Sequence, residues 1–298
     1  MARHALWASA VLLAALAVPA AGQEVQLKWK FKQGDKFYVE DVTVMKQSVA
    51  VLNQVIKEEQ KTTTVTSYQI EKVGTEGITV KMKIEGMDVK SDSPIGLYAK
   101  IMEKTKGASF TFTLTPEGKV TKLEGFDEFL KKLDTGDEDT NKMLKLFITE
   151  DMYMQSIEQA FGFVPNKAVK KGDSWTRENK IPFSGMGEFK SSTIFTYNGK
   201  GEGGEQITLK QELAYVPPKK GADFGGLFKV LKGDLKAENA KGTYVFDAEK
   251  GRLVSANNSM VIRGTLTLDL NGMEVTVDIR AEQTGTSRVL DKSPLIDS

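Results

Sequence analysis

Strict alternation of apolar and polar residues constrains this chain more than any other feature. Ile78, Val80, Met82 and Ile84 alternate with Thr79, Lys81, Lys83 and Glu85, and Leu27, Trp29 and Phe31 with Lys28, Lys30 and Lys32. Near the C-terminus, Ile262, Leu266, Leu268 and Leu270 share a frame opposite Arg263, Thr265, Thr267 and Asp269. Val275, Val277, Ile279 and Ala281 then return against Glu274, Thr276, Asp278 and Arg280. A side-chain period of two puts one set on each face of a strand. Such segments bury their apolar set by pairing into antiparallel sheet that is wet on one side. Asn271-Gly272, between the last two runs, is tight-hairpin chemistry. The expected fold class is α+β, mainly antiparallel β, as a curved sheet or half-barrel.

Residues 126–163 depart from this pattern. Phe126, Phe129, Leu130 and Leu133 keep helical spacing, as do Met143, Leu144, Phe147 and Ile148, and again Met154, Ile157, Ala160 and Phe161. With Thr149 as an N-cap, the spacing predicts two or three short amphipathic helices. A further helix is expected after Ser93-Pro94, closing at Gly107, and a looser counterpart around Phe224 to Leu231.

One phrase occurs twice. Phe31-Lys-Gln-Gly-Asp-Lys-Phe37 and Val169-Lys-Lys-Gly-Asp-Ser-Trp175 share an apolar residue, Lys, Gly-Asp and an aromatic at equal spacing. Tyr68 to Ile78 and Tyr197 to Ile207 follow, each a strand, a Gly-rich turn and a strand. The strands from Phe110 and from Tyr244 make a third match. Two related β units are expected, 23–165 (with the helices) and 166–298, an internal repeat after a leader at 1–22. In the bland reading, Gly-Asp is turn chemistry, with Phe37 and Trp175 dropping into the core. The functional alternative makes Asp35 and Asp173 paired site carboxylates.

The chain opens with Arg3 and His4, an apolar run from Ala5 to Val18, and Ala20-Ala21-Gly22. This reads as a signal peptide cleaved before Gln23, which implies export to the periplasm or the outside of the cell. No Cys follows for lipid attachment, and no transmembrane segment is expected. The remaining 276 residues hold 40 basic and 40 acidic groups, with no His and no Cys. Without imidazole or thiolate, Ser-His-Asp and Cys-His catalysis and the usual zinc sites are excluded. No cofactor or metal is expected. A balanced, Lys-dominated charge argues against nucleic acid.

Several motifs can be weighed. Asp134-Thr135-Gly136 spells the aspartic-protease triplet, but it follows a helical stretch and has no second copy. Asp134, Asp137, Glu138 and Asp139 do not match the EF-hand spacing. The glycines between Asn198 and Glu205 lack a phosphate-loop pattern and suit a hairpin. Asn257-Asn258-Ser259 is a formal glycosylation sequon. The remaining candidate is a ligand site lined by Met102, Phe126, Phe129, Met143, Phe147, Met154 and Phe161, with Met152 beside them. Met suits surfaces that repack around flexible ligands; the plain alternative is that these side chains are ordinary core.

The signal peptide, Lys32-Gln-Gly-Asp-Lys-Phe-Tyr38, the strand Thr62-Thr-Thr-Val-Thr66 and Gly77-Ile-Thr-Val-Lys81 resemble an uncharacterised family of exported bacterial proteins, a domain of unknown function. That resemblance implies no activity. Long antiparallel strands with a helical lid are also similar, in architecture alone, to periplasmic lipoprotein carriers. The expected function is an exported non-enzymatic binding protein for an apolar or lipid ligand. The alternatives are an envelope module that contacts another protein or polysaccharide, and a hydrolase built on Asp35 and Asp173.

Overall fold

The computed structural model describes residues 24–52, 54–92, 102, 104–138, 141, 144, 148–182, 187–218 and 228–295. The expected leader, its cleavage site, Met143, Phe147, the start of the helix after Ser93 and residues 224–227 lie outside these residues; Lys229 to Leu231, expected in the looser helix, are strand. Eleven strands follow in chain order. They are β1 (Lys36–Val51), β2 (Gln54–Gly74), β3 (Gly77–Ser91), β4 (Ser109–Leu114), β5 (Val120–Glu124), β6 (Ser174–Pro182), β7 (Glu188–Gly201), β8 (Gly204–Val216), β9 (Lys229–Asp247), β10 (Arg252–Leu270) and β11 (Met273–Leu290). Helices α1 (Phe126–Lys132) and α2 (Glu150–Phe161) separate β5 from β6. All pairings are antiparallel, in one curved open sheet of order β5-β4-β3-β2-β1-β11-β10-β9-β8-β7-β6. Strands β1 to β5 lie on one side of the β1–β11 pairing and β6 to β11 on the other, all in the one sheet, which does not by itself confirm a duplication.

The repeated phrase builds the same turn twice. Lys32 N–H donates to Asp35 Oδ2 at 2.8 Å, and Lys170 N–H to Asp173 Oδ2 at 3.0 Å. Gly34 N–H then reaches Ile70 O at 2.8 Å and Gly172 N–H reaches Tyr197 O at 2.7 Å. Both glycines have positive φ, 88° and 96°, which a side chain would resist. The next strands also agree. A bulge follows Ile70 and another follows Tyr197, and each hairpin closes on a glycine pair, Gly74–Gly77 and Gly201–Gly204. Ile70, Val80 and Phe112 lie side by side as Tyr197, Ile207 and Tyr244 do. The matching residue of Tyr197 is therefore Ile70, two places beyond the Tyr68 that sequence identity suggests.

One face of the sheet carries the core. In the first half, Phe37, Ile70, Val80, Phe110 and Phe112 pack against Phe126, Phe129, Ile157 and Phe161 of the helices. A second cluster gathers Leu27, Phe163, Val169, Phe195, Ile207 and Phe246, and a third Phe189, Leu213, Val230, Leu235 and Leu266. Helix α2 starts as its sequence dictates. Thr149 accepts from Met152 N–H at 3.3 Å, and Glu150 and Asp151 occupy the first turn, where the helix dipole favours them.

An open sheet has two bare edges, here β5 and β6. Helix α2 and the segment after it contact both. Val120 N–H of β5 donates to Glu158 Oε1 at 2.9 Å. From β6, Arg177 donates to Gly162 O at 3.0 Å, Val164 O at 2.7 Å and Asn166 Oδ1 at 3.1 Å. Trp29 and Trp175 anchor the same segment through Phe161 O and Phe163 O, each at 2.7 Å. The helix thus bridges the two sheet edges across the core face, and hollows open to solvent remain beside it.

Candidate functional site

The hollowed core face is the candidate site. Its apolar part can be followed by register. Residues of β1 an even number from Phe37 share its face, because no bulge interrupts the strand. Val49 and Val51 therefore point inward. Beside them on β11 stand Ile279 and Val277, and beyond Val277 on β10 stands Leu266. On the other side Val49 faces Ile56 of β2, which is 52% exposed. An apolar row thus crosses four adjacent strands, from the third core cluster to an open end.

Two cavities adjoin the helix. One of about 350 Å³ lies between α2 and the sheet, lined by Tyr68, Met82, Met152, Tyr153, Ile157 and Phe161 among others. The larger, about 670 Å³, lies under β6 to β11. Its floor is aromatic, with Phe163 edge-on to Tyr244 at 4.8 Å between centroids. Its walls are polar. Asn258 and Gln283 sit in the inward frame of β10 and β11, where Ile262 and Ile279 are neighbours. Asn258 lies against Gly285; a Cβ there would sit 2.8 Å from Asn258 Oδ1.

Several ionisable side chains on this face are perturbed by burial. Asp41 of β1 accepts from the Ser287 hydroxyl. Burial pushes its carboxyl above the ordinary range against the pull of that hydrogen bond, and nearby Glu40 adds to the rise. The Tyr68 hydroxyl is pushed up by burial and by the charge of Asp41. Tyr197 donates to Glu205, and burial and that carboxylate hold its proton on.

The structure brings five of the seven residues singled out from the sequence into one cluster. Phe126, Phe129 and Phe161 are buried in the first core, with Met102 and Met154 packed against it. Phe161 also borders the smaller cavity. Asp35 and Asp173 are each engaged by their own turn. Asp134 accepts from Gly136 N–H at 2.8 Å, closing a turn of its own. No cluster of three or more potential metal-ligating side chains occurs among the described residues, and no described helix is long and apolar enough to cross a membrane, which says nothing of strands. Sequence reasoning missed the apolar row and the amide-lined wall. The signal for the wall was legible in Asn258 and Gln283, polar residues in frames that are mainly apolar.

Residues 62–251 match the model described as "Family of unknown function (DUF6263)". No curated protein matches the sequence. Among solved structures, lipovitellin, studied for its lipid–protein interactions, is 9% identical with a TM-score of 0.46, over 85% of this chain and 25% of that one. An outer membrane channel from Pseudomonas putida F1 is 6% identical over 89% and 98% of the two chains, TM-score 0.20. A Vibrio parahaemolyticus domain named for outer membrane lipoprotein sorting is 7% identical over 81% and 83%, TM-score 0.14. At these scores the likenesses carry no functional weight.

Proposed function

The chain belongs to the Family of unknown function (DUF6263), which assigns no activity, and from that premise we propose that it is an exported, non-enzymatic binding protein for an apolar or lipid ligand. The observation that carries this reading is the apolar row from Leu266 through Val277, Val51 and Val49 to the half-exposed Ile56. An alkyl chain laid along it would remove apolar surface from water on both sides, at about 0.8 kcal/mol for each buried methylene. The ordering of ligand and side chains offsets part of that gain.

The test is mass spectrometry of organic extracts from protein purified natively from an exporting host, with titration of a fluorescent fatty acid alongside. Wild type should carry or bind an apolar compound, and Val49→Glu should lose it with an unchanged melting curve. Empty extracts together with no fatty-acid binding would sink the reading.

A second reading, an envelope interaction module, is favoured by the hairpin tips. Leu52, Val55 and Met273 are 65%, 60% and 53% exposed on neighbouring hairpins. Leu52 is also held at φ 47°, a conformation a bulky side chain rarely adopts. Loss of a co-purifying protein partner in Leu52→Asp, with apolar-ligand binding intact, would support the module.

A further inference from the structure

We propose that the 670 Å³ cavity is a binding site for an uncharged, hydroxyl-rich group, a saccharide unit, distinct from the apolar row. Its size falls within the roughly 300–1,000 Å³ of small-ligand sites. Six carboxamides line it: Gln159, Asn166, Asn179, Gln211, Asn258 and Gln283. A carboxamide donates and accepts at once, so a wall of them matches hydroxyls, which do the same. A wall built for an anion would present free cations instead.

The hydrogen bonds already made sharpen this choice. Arg177 borders the cavity, but its guanidinium is turned to Gly162 O, Val164 O and Asn166 Oδ1. Glu158 and Glu178 are held by Val120 N–H and the Ser192 hydroxyl. The Gln211 amide N–H donates a hydrogen bond to Ser191 Oγ at 2.8 Å. Asn258 Oδ1 is buried with no hydrogen-bond partner among the described residues. A buried acceptor without a donor is unfavourable; Asn258 Oδ1 is packed against Gly285, and a turn of the amide toward a hydroxyl in the cavity it lines would relieve it. Below it, the half-buried Tyr244 offers ring surface to the C–H face of a sugar, with the buried Phe163 and Phe195 packed against it. Carboxylates outnumber cations on the wall, with Glu117, Glu158 and Glu178 against Lys119 and Arg177, which disfavours phosphates and acidic sugars.

The sugar could be free or the head of a lipid, and three probes separate these sources by calorimetry and NMR on the mature chain: maltotriose, dodecyl maltoside below its micelle concentration, and dodecylphosphocholine. Binding of maltotriose, with shifts at Asn258 and Gln283, supports the site and a free sugar. Binding of dodecyl maltoside alone, with the same shifts, supports it and a lipid-borne head. Asn258→Leu should weaken either by at least about tenfold, the loss expected when a hydroxyl faces an apolar replacement. Asn179→Ala, at the rim, is a second variant with less risk to folding and should weaken it severalfold. If neither maltoside binds, the proposal is overturned. It is also overturned if dodecyl maltoside and dodecylphosphocholine bind equally and both variants leave them unchanged; the apolar row would then stand alone. Failure of the apolar-row reading shows separately, as loss of fatty-acid binding with maltotriose retained.

Discussion

Replacing Arg177 by Met tests whether α2 closes the gap between the sheet edges. The guanidinium makes three hydrogen bonds to the segment after α2. Bonds from a charged donor contribute about 1.5–3 kcal/mol each. The bond to Asn166 is exposed, so water replaces it at little loss. The bonds to Gly162 O and Val164 O are part-buried, and Val164 is only 5% exposed. Met keeps most of the packing of the aliphatic stem, so the loss reduces to these two bonds, about 3 kcal/mol. For a chain of this size that is a fall in melting temperature of roughly 6–12 °C. Urea denaturation gives the free energy, and hydrogen exchange locates it. Protection should fall first in β6 and at 162–166, while β1, β2 and β11 stay protected. Arg177→Lys should recover only part, since an ammonium cannot span two carbonyls as the planar fork does. A loss under about 1 kcal/mol, or uniform loss of protection across the sheet, would refute the closure argument.

Three further outcomes are expected. Asp41 has its pKa raised by burial, so its ionised form weakens the fold; Asp41→Asn should be more stable than wild type at neutral pH. That advantage should shrink as pH falls from the raised folded value and vanish below the ordinary value near 3.8, and thermal melts from pH 3 to pH 8 would expose an advantage that instead grew on acidification. Leu52→Gly relieves a left-handed backbone at φ 47° and should raise stability by about 1 kcal/mol; a lower urea midpoint would show that the tip is not strained. Gly77→Ala and Gly204→Ala would place Cβ atoms 2.1 Å from Leu114 O and 2.6 Å from Phe246 O, at positive φ, so each should lose about 2 kcal/mol or more, and near-neutral melts for either would contradict the shared hairpin geometry.

Much of the local structure of the described residues was legible in the sequence because its causes are local. Alternation specifies the inward frames, and the strands with them except at Leu27 to Lys32, where Leu27 and Trp29 reach the core from a segment that is not a strand. Asn271-Gly272 turns with both residues at positive φ, Thr149 caps α2, and both Gly-Asp turns close on their own side chains. The candidate site was legible only in part. Phe126, Phe129 and Phe161 lie on the inward side of their helices, as their spacing says, but spacing does not distinguish a pocket wall from a core.

Strand order and closure belong to tertiary structure alone. Backbone donors and acceptors are alike on every strand, so alternation does not name a strand's neighbour. Pairing of β1 with β11 joins residues as distant in sequence as Asp41 and Ser287, and it alone brings Val49 and Val51 beside Val277 and Ile279. The two-residue offset between Tyr68 and Tyr197 has the same origin, because the bulges after Ile70 and Tyr197 set the register rather than side-chain identity. The sequence by itself determined which faces of the strands are apolar and where the chain turns. The folded sheet decided which of those faces line a hollow, since curvature and the bridging of its edges depend on contacts between residues far apart in the chain.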